Sequence, residues 1–190
     1  MLVRTTAINK IIKLKKRIKI IQGGTSAGKT FGILPILIHK AADTPNIEIS
    51  VVAESIPHLR RGALKDFLNI MKWTGRYFEQ RFNKSLLRYE FANGSYIEFF
   101  SADDSSKLRG ARRDILYINE CNNVDFNSYN ELAIRTKQEI YLDFNPANEF
   151  WVHTELKDEG DSDFLILTYK DNEALDERIV KEIEKNKLKA

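Results

Sequence analysis

Three layers of helix and strand, built around a mainly parallel sheet with one antiparallel hairpin at its side, are what this sequence predicts. Three observations predict them. Residues Gly23–Thr30 read GGTSAGKT, which fits the phosphate-binding loop pattern GxxxxGK[ST] and lies between a strand-like and a helix-like stretch. Apolar strand-like runs then alternate with amphipathic helical runs along the chain, the order of a sheet covered on both faces. Asn93-Gly94 separates two further strand-like runs, the strongest short signal for a hairpin.

Each element has its own reason. Thr5 or Thr6 can cap a helix through Lys16, with Ile8, Ile11 and Ile12 on its apolar side. The run Arg17–Gln22 alternates and then turns apolar, as a buried strand does, and Phe31–His39 is long enough for a helix with Pro35 near its first turn. Between them the loop glycines let backbone N–H groups turn inward around phosphate oxygens. Lys29 is placed to reach the β- and γ-phosphates, and the Thr30 hydroxyl to bind Mg²⁺. Gly23, Gly24, Thr25, Ser26, Ala27, Gly28, Lys29 and Thr30 are therefore the expected nucleotide-binding residues. Ile47–Ala53 reads as a second parallel strand and Leu59–Trp73 as an amphipathic helix with Arg60, Arg61 and Lys65 on its polar side. Leu86–Phe91 and Ser95–Ser101 form the predicted hairpin, and Asp103–Arg113 a polar loop. Asp114–Glu120 is an apolar strand that ends in polar residues; Phe126–Lys137 follows as a helix. Glu139–Phe144 and Phe164–Tyr169 are strands, and Leu175–Leu188 is a charged amphipathic helix.

Composition narrows the class. The 190 residues suffice for one domain with a sizeable core, and the expectation is a single domain over residues 1–190. A single cysteine, Cys121, excludes an internal disulfide and suits a reducing cytosol, so the expected location is the cytoplasm. Its place beside Asn119-Glu120 reads as a small buried residue. The three histidines are far apart in sequence, and the apolar run Leu34–Ile38 is too short for a membrane span. A net charge of +3 conceals an asymmetry: residues 1–113 carry 21 Lys+Arg against 9 Asp+Glu, and residues 114–190 carry 9 against 18. Such a split suits a basic face that meets a polyanion, or charges that mix on solvated faces. Six basic residues between Lys10 and Lys19 allow the same two readings.

The segments GGTSAGKT, LRGARRDILYINE, YLDFNPA and LTYKDNEAL together resemble the ATPase domain of phage large terminase subunits, the motors that package DNA into viral proheads. The resemblance runs from about Ile18 to Leu175. It implies a P-loop NTPase fold of the ASCE type, ATP and Mg²⁺ as cofactors, and double-stranded DNA, the portal or prohead and a small terminase subunit as partners. It also implies a ring of copies during packaging, with a monomer open for the isolated domain, in the cytoplasm of a bacterial host. Lys29 and Thr30 match the family's phosphate and Mg²⁺ ligands, and Glu120 its catalytic glutamate. Asn119 stands where many members have aspartate; an amide oxygen can still accept from a metal-bound water, without the charge. Arg109 matches a position proposed as an arginine finger acting on a neighbour's ATP, and Asn145 the coupling motif that senses the γ-phosphate. Thr25 departs from members with arginine inside the loop, which leaves Arg109, Arg112 or Arg113 to supply positive charge. The family's RNase H-like nuclease domain does not fit in the residues after Asp171, so the chain is expected to be the motor half, with endonuclease activity only in a longer chain.

Plainer readings stand beside these. Glu120 can be an exposed strand end, Arg109 a loop residue in a surface ion pair, and Asn145-Pro146 a turn former. Two other functions stay open: a helicase-type P-loop ATPase, and a nucleotide-binding switch or scaffold that does not turn over, which Asn119 favours.

Overall fold

A computed structural model describes residues 3–110, 112–146 and 148–188. Helix α1 (Thr6–Ile12) leads into strand β1 (Ile18–Gly23), helix α2 (Lys29–Asp43) and strand β2 (Glu48–Ala53). Helices α3 (Ile56–Arg61) and α4 (Ala63–Trp73) follow, then the short strands β3 (Phe82–Asn83) and β4 (Arg88–Glu90) and the longer β5 (Tyr96–Ser101). Helix α5 (Ser105–Leu108), strand β6 (Arg113–Ile118), helix α6 (Phe126–Ala133), strand β7 (Thr136–Phe144), strand β8 (Ser162–Leu167) and helix α7 (Glu177–Lys187) complete the order. The strands form one eight-stranded sheet in the order β3-β4-β5-β2-β6-β7-β1-β8. All pairings from β5 to β8 are parallel; β4 pairs antiparallel with both β5 and β3. Among the described residues, no helix is long and apolar enough to cross a membrane.

Strand alternation divides the core between the two faces. On β6, Ile115 and Tyr117 join the cluster under α1, α2 and α4, whereas Leu116 and Ile118 join the cluster under α6. On β7, Tyr141 faces the first cluster and Ile140, Leu142 and Phe144 the second. The predicted three layers are thus present, with α2 and α6 on opposite faces. Strand β7 lies between β1 and β6, so the strand that carries the phosphate loop and the strand that ends in Asn119-Glu120 are both its neighbours.

Several boundaries differ from expectation, each for a tertiary reason. The first helix stops at Ile12 rather than Lys16 because the Asp163 carboxylate takes the N–H groups of Lys15 and Lys16, at 2.7 and 2.9 Å. The helix predicted over Leu59–Trp73 begins earlier, at Ile56, with Ser55 as its cap, and breaks at Gly62. Helix α2 runs from Lys29 to Asp43, which puts Pro35 in its interior as the seventh residue and not in its first turn. The helix expected through Lys137 ends at Ala133, because Thr136 and Lys137 already belong to β7. The polar loop Asp103–Arg113 contains α5, capped by Asp104, and its last residue starts β6. The final strand is Ser162–Leu167, two residues earlier than predicted, because its pairing with β1 starts at Ser162↔Ile18. The hairpin signal at Asn93-Gly94 is correct: Gly94 adopts φ +83°, and the Asn93 amide also caps the end of α2 by donating to the Ala41, Ala42 and Thr44 carbonyls.

One helix residue carries a testable cost. Burial pushes the Asp66 carboxyl on α4 up to about 6, from an ordinary 3.8, with Lys65 as a weaker opposing influence. Raised above its unfolded value, this group disfavours folding above pH 6, and the penalty fades as pH falls from 6 towards 4. After allowance for its partial exposure, Asp66→Asn is expected to stabilise the fold by roughly 1 kcal/mol at pH 8. Thermal melts at pH 8 and pH 4 check this: an equal gain at both pH values would show that ionisation is not the cause.

Candidate active site

The site grows from the β1–α2 junction. The chain leaves β1 at Gly23, where a Cβ would meet the Leu167 carbonyl oxygen at 2.7 Å; only glycine fits against β8. Gly28 then adopts φ +75°, the left-handed region that turns the loop into the first turn of α2. Asn172 pins the loop from outside, its amide donating to the Ser26 carbonyl at 3.0 Å and its side chain packing over Gly28.

Lys29, the first residue of α2, is buried and bends back into the loop. Its ammonium donates to the Gly23 carbonyl at 2.7 Å, the Gly24 carbonyl at 3.1 Å and Asn145 Oδ1 at 2.8 Å. An ammonium has three donors, and all three are used. Burial lowers the Lys29 pKa, while the charges of Asp143 and Glu120 oppose the shift. Asn145, expected as a γ-phosphate sensor, is thus brought directly onto the lysine that would hold that phosphate.

At the end of β6, Asn119 is buried, and its amide nitrogen donates to the Tyr117 hydroxyl at 3.2 Å and to Asp143 Oδ1 at 3.0 Å. The next residue, Glu120, has a left-handed backbone, φ 52° and ψ 55°, uncommon for a residue with a side chain. Its N–H donates to Asp143 Oδ1 at 2.9 Å, and its carboxylate meets His58 Nε2 at 2.9 Å. Such strain held in place by neighbours is typical of functional positions. The Tyr117 hydroxyl donates to Asp143 Oδ1 at 3.2 Å. Lys29 with Asn145, and Asn119 with Glu120 through Asp143, are two hydrogen-bonded sets at neighbouring strand ends, and with Thr30, next to Lys29 in the chain, they make one group.

Arg109 is not in that group. It ends α5 as an exposed residue beside Asn127, Ser128 and Glu131 of α6, on the face opposite α2. Arg112 is exposed, and Arg113 is committed elsewhere: it is buried at the start of β6, with Nε donating to Ser50 and its guanidinium to the Leu132 carbonyl. Cys121 is free and buried as expected.

Three participants escape a reading of the sequence: His58, Asp143 and Tyr117. His58 leaves no local signal, since it reaches Glu120 from a different helix. Asp143 and Asn145 share a strand face by period-two spacing, which could have singled out the carboxylate. A cavity of about 380 Å³ opens beside the loop, lined by Gly28, Phe31, Trp73, Asn172, Leu175 and Ile179. Trp73 is half-exposed there and stacks on Phe31 at 6.0 Å. A larger cavity, about 730 Å³, lies away from the loop between α1, α2 and β7.

Comparison with known proteins places this geometry in a family. The family model described as phage terminase large subunit matches residues 15–189. No curated protein matches. Among solved structures, the large terminase of a thermophilic bacteriophage superposes with a TM-score of 0.80 at 18% identity, covering 95% of this chain and 49% of that one. The same protein in complex with ATP-gamma-S gives 0.78 at 18% identity, covering 95% and 48%. The large terminase ATPase domain of Thermus phage P74-26 gives 0.64 at 14% identity, covering 84% and 79%. The chain thus spans about half the length of the first of these terminases, and at these identities the likeness carries the fold.

Proposed function

The chain belongs to the phage terminase large subunit family, and from that premise we propose that it hydrolyses ATP to drive double-stranded DNA into a prohead. The observation that carries this reading is the 2.8 Å bond from Lys29 to Asn145, which ties the phosphate loop to the end of β7, the strand next to the one that leads to Glu120. The loop N–H groups and the positive end of α2 would cradle the phosphates. Lys29 would exchange its loop carbonyls for phosphate oxygens, and in doing so release Asn145. Glu120 would orient the attacking water, once its carboxylate leaves His58. The cavity beside Gly28 would take the base against Phe31 and Trp73.

Mg²⁺, when bound, would offset the charge of the phosphates, with Thr30 and a nearby carboxylate as the residues to hold it. The donors here fit it, because this ion keeps most of its waters and takes one or two hard oxygens from protein. Thr30 would supply a hydroxyl, and among the described residues Asp143 and Glu120 are the acidic side chains of this group. Among the described residues no cluster of three or more His, Cys, Asp or Glu offers a separate metal cage.

DNA contact in this reading goes to phosphates, since packaging must ignore sequence. The portal, a small terminase subunit and a ring of copies are the remaining partners, and the setting is the cytoplasm of an infected bacterium. The testing experiment is steady-state phosphate release from Mg²⁺-ATP with duplex DNA, beside a forked duplex assayed for unwinding. Turnover without strand separation is expected. Strand separation would favour the helicase alternative, and tight nucleotide binding without turnover, even with proheads and DNA, a switch.

Placement of Arg109 away from its own loop supports action on a neighbour's ATP. Mixing Arg109→Ala with Lys29→Ala protein is expected to restore turnover that each lacks alone, since an engaged arginine finger contributes about 10³–10⁵ in rate. No recovery in mixed assemblies would remove the trans role.

A further inference from the structure

We propose that the carboxylate of the Mg²⁺ shell has moved one strand along the sheet, from position 119 on β6 to Asp143 on β7. The inference rests on the ATP-hydrolysing reading above and narrows its cation site.

A phosphate loop threonine needs an anionic partner to hold the cation. Position 119 cannot provide one. Its side chain is an amide, and the neighbouring groups decide which way that amide points: an ionised carboxylate only accepts, so the Asn119 nitrogen must face Asp143. Asn119 serves as a donor to the carboxylate beside it.

Asp143 has the position that 119 lacks the charge for. Pairing puts Asp143 level with Ile21 of β1, and its predecessor Leu142 level with Ile118 of β6. Asp143 and Asn119 are therefore at the same height on adjacent strands, about 4.8 Å apart across the sheet. Of the two, Asp143 is nearer the phosphate loop, because β7 directly adjoins β1. It projects to the α2 face, as Tyr141 does two residues earlier. The Tyr117 hydroxyl, on the same face of the sheet, donates to it at 3.2 Å.

Its surroundings are those of a carboxylate built for a cation. Asp143 is 1% exposed, and a buried charge is tolerated when it is paired. Among the described residues it makes no ion pair, since the three donors of Lys29 go to two carbonyls and Asn145. Tyr117, Asn119 and the Glu120 N–H all converge on Oδ1, so Oδ2 is the oxygen that a cation-bound water would use. The competing role is a purely structural one, anchoring the Glu120 backbone.

The two roles separate by moving the charge. Affinity for a fluorescent ATP analogue is measured with Mg²⁺ and with EDTA for wild type, Asp143→Asn and the exchange Asn119→Asp/Asp143→Asn, with Mn²⁺ binding followed by paramagnetic resonance. Asp143→Asn is expected to lose about 10- to 100-fold of the Mg²⁺-dependent gain, read as the ratio of its affinities with Mg²⁺ and with EDTA. The exchange, with its charge count unchanged, is expected to recover most of it. Full Mg²⁺ enhancement in Asp143→Asn would overturn the inference. So would a folded exchange variant that recovers none, which would leave Asp143 as an anchor only. Should Asp143→Asn fail to fold, the exchange variant decides alone. Wild type that binds no nucleotide would overturn the ATP reading together with the inference.

Discussion

Glu120→Gln is expected to bind ATP as tightly as wild type and to hydrolyse it at least about 100-fold more slowly, in the range that a positioned acid–base group contributes. The amide keeps the size and can still meet His58 Nε2, now 2.9 Å from the carboxylate. It loses the negative charge that polarises water. Nothing in the loop changes, since the Glu120 N–H still donates to Asp143 and Lys29 keeps its three acceptors. Phosphate release and nucleotide binding, measured on the same preparation, separate the two effects. Turnover within about threefold of wild type would remove Glu120 from the chemistry, because a loss that small is under about 1 kcal/mol.

Lys29→Ala is expected to act on binding itself. The lysine would give two charge-assisted hydrogen bonds to phosphate, each contributing about 1.5–3 kcal/mol. Their loss corresponds to about 10²–10⁴ in affinity. The folded state also changes, because the Gly23 and Gly24 carbonyls and Asn145 lose their donor. Water can reach the exposed Gly24 side of the loop, so the domain is expected to stay folded. Titration calorimetry with ATP reads the affinity and a thermal melt the fold. Binding within about tenfold of wild type in a folded variant would show that the phosphates do not sit on Lys29.

The parts of this protein legible in its sequence are those fixed by near neighbours. The β1–loop–α2 unit is readable because spacing alone sets Gly23, Gly28, Lys29 and Thr30. Asn93-Gly94 gives the hairpin because Gly94 needs its positive φ. Elements set by distant partners are not legible in this way. Asp163, far along the chain, ends α1 by taking two backbone N–H groups. The early start of β7 comes from pairing Thr136 with Arg113. The same holds in the site: Lys29, Glu120 and Asn145 lie in motifs, but His58 and Tyr117 gain meaning only once α3 and β6 face each other. Asp143 is visible as a residue of the DFNP segment, yet its burial and its three donors belong to the folded sheet alone.

The opposite placement of α2 and α5 limits how copies of this chain could share chemistry. A two-fold dimer buries one patch against its twin, so donor and acceptor groups must lie on a single side of the molecule. Here the phosphate loop opens from the layer of α2, and Arg109 stands on the other layer, beside α6. A copy that offers Arg109 presents a different side from the one it receives on. Under the proposed trans role of Arg109, copies would join head-to-tail, and repetition of that join would close into a ring if its rotation divides a full turn and otherwise wind into an open filament.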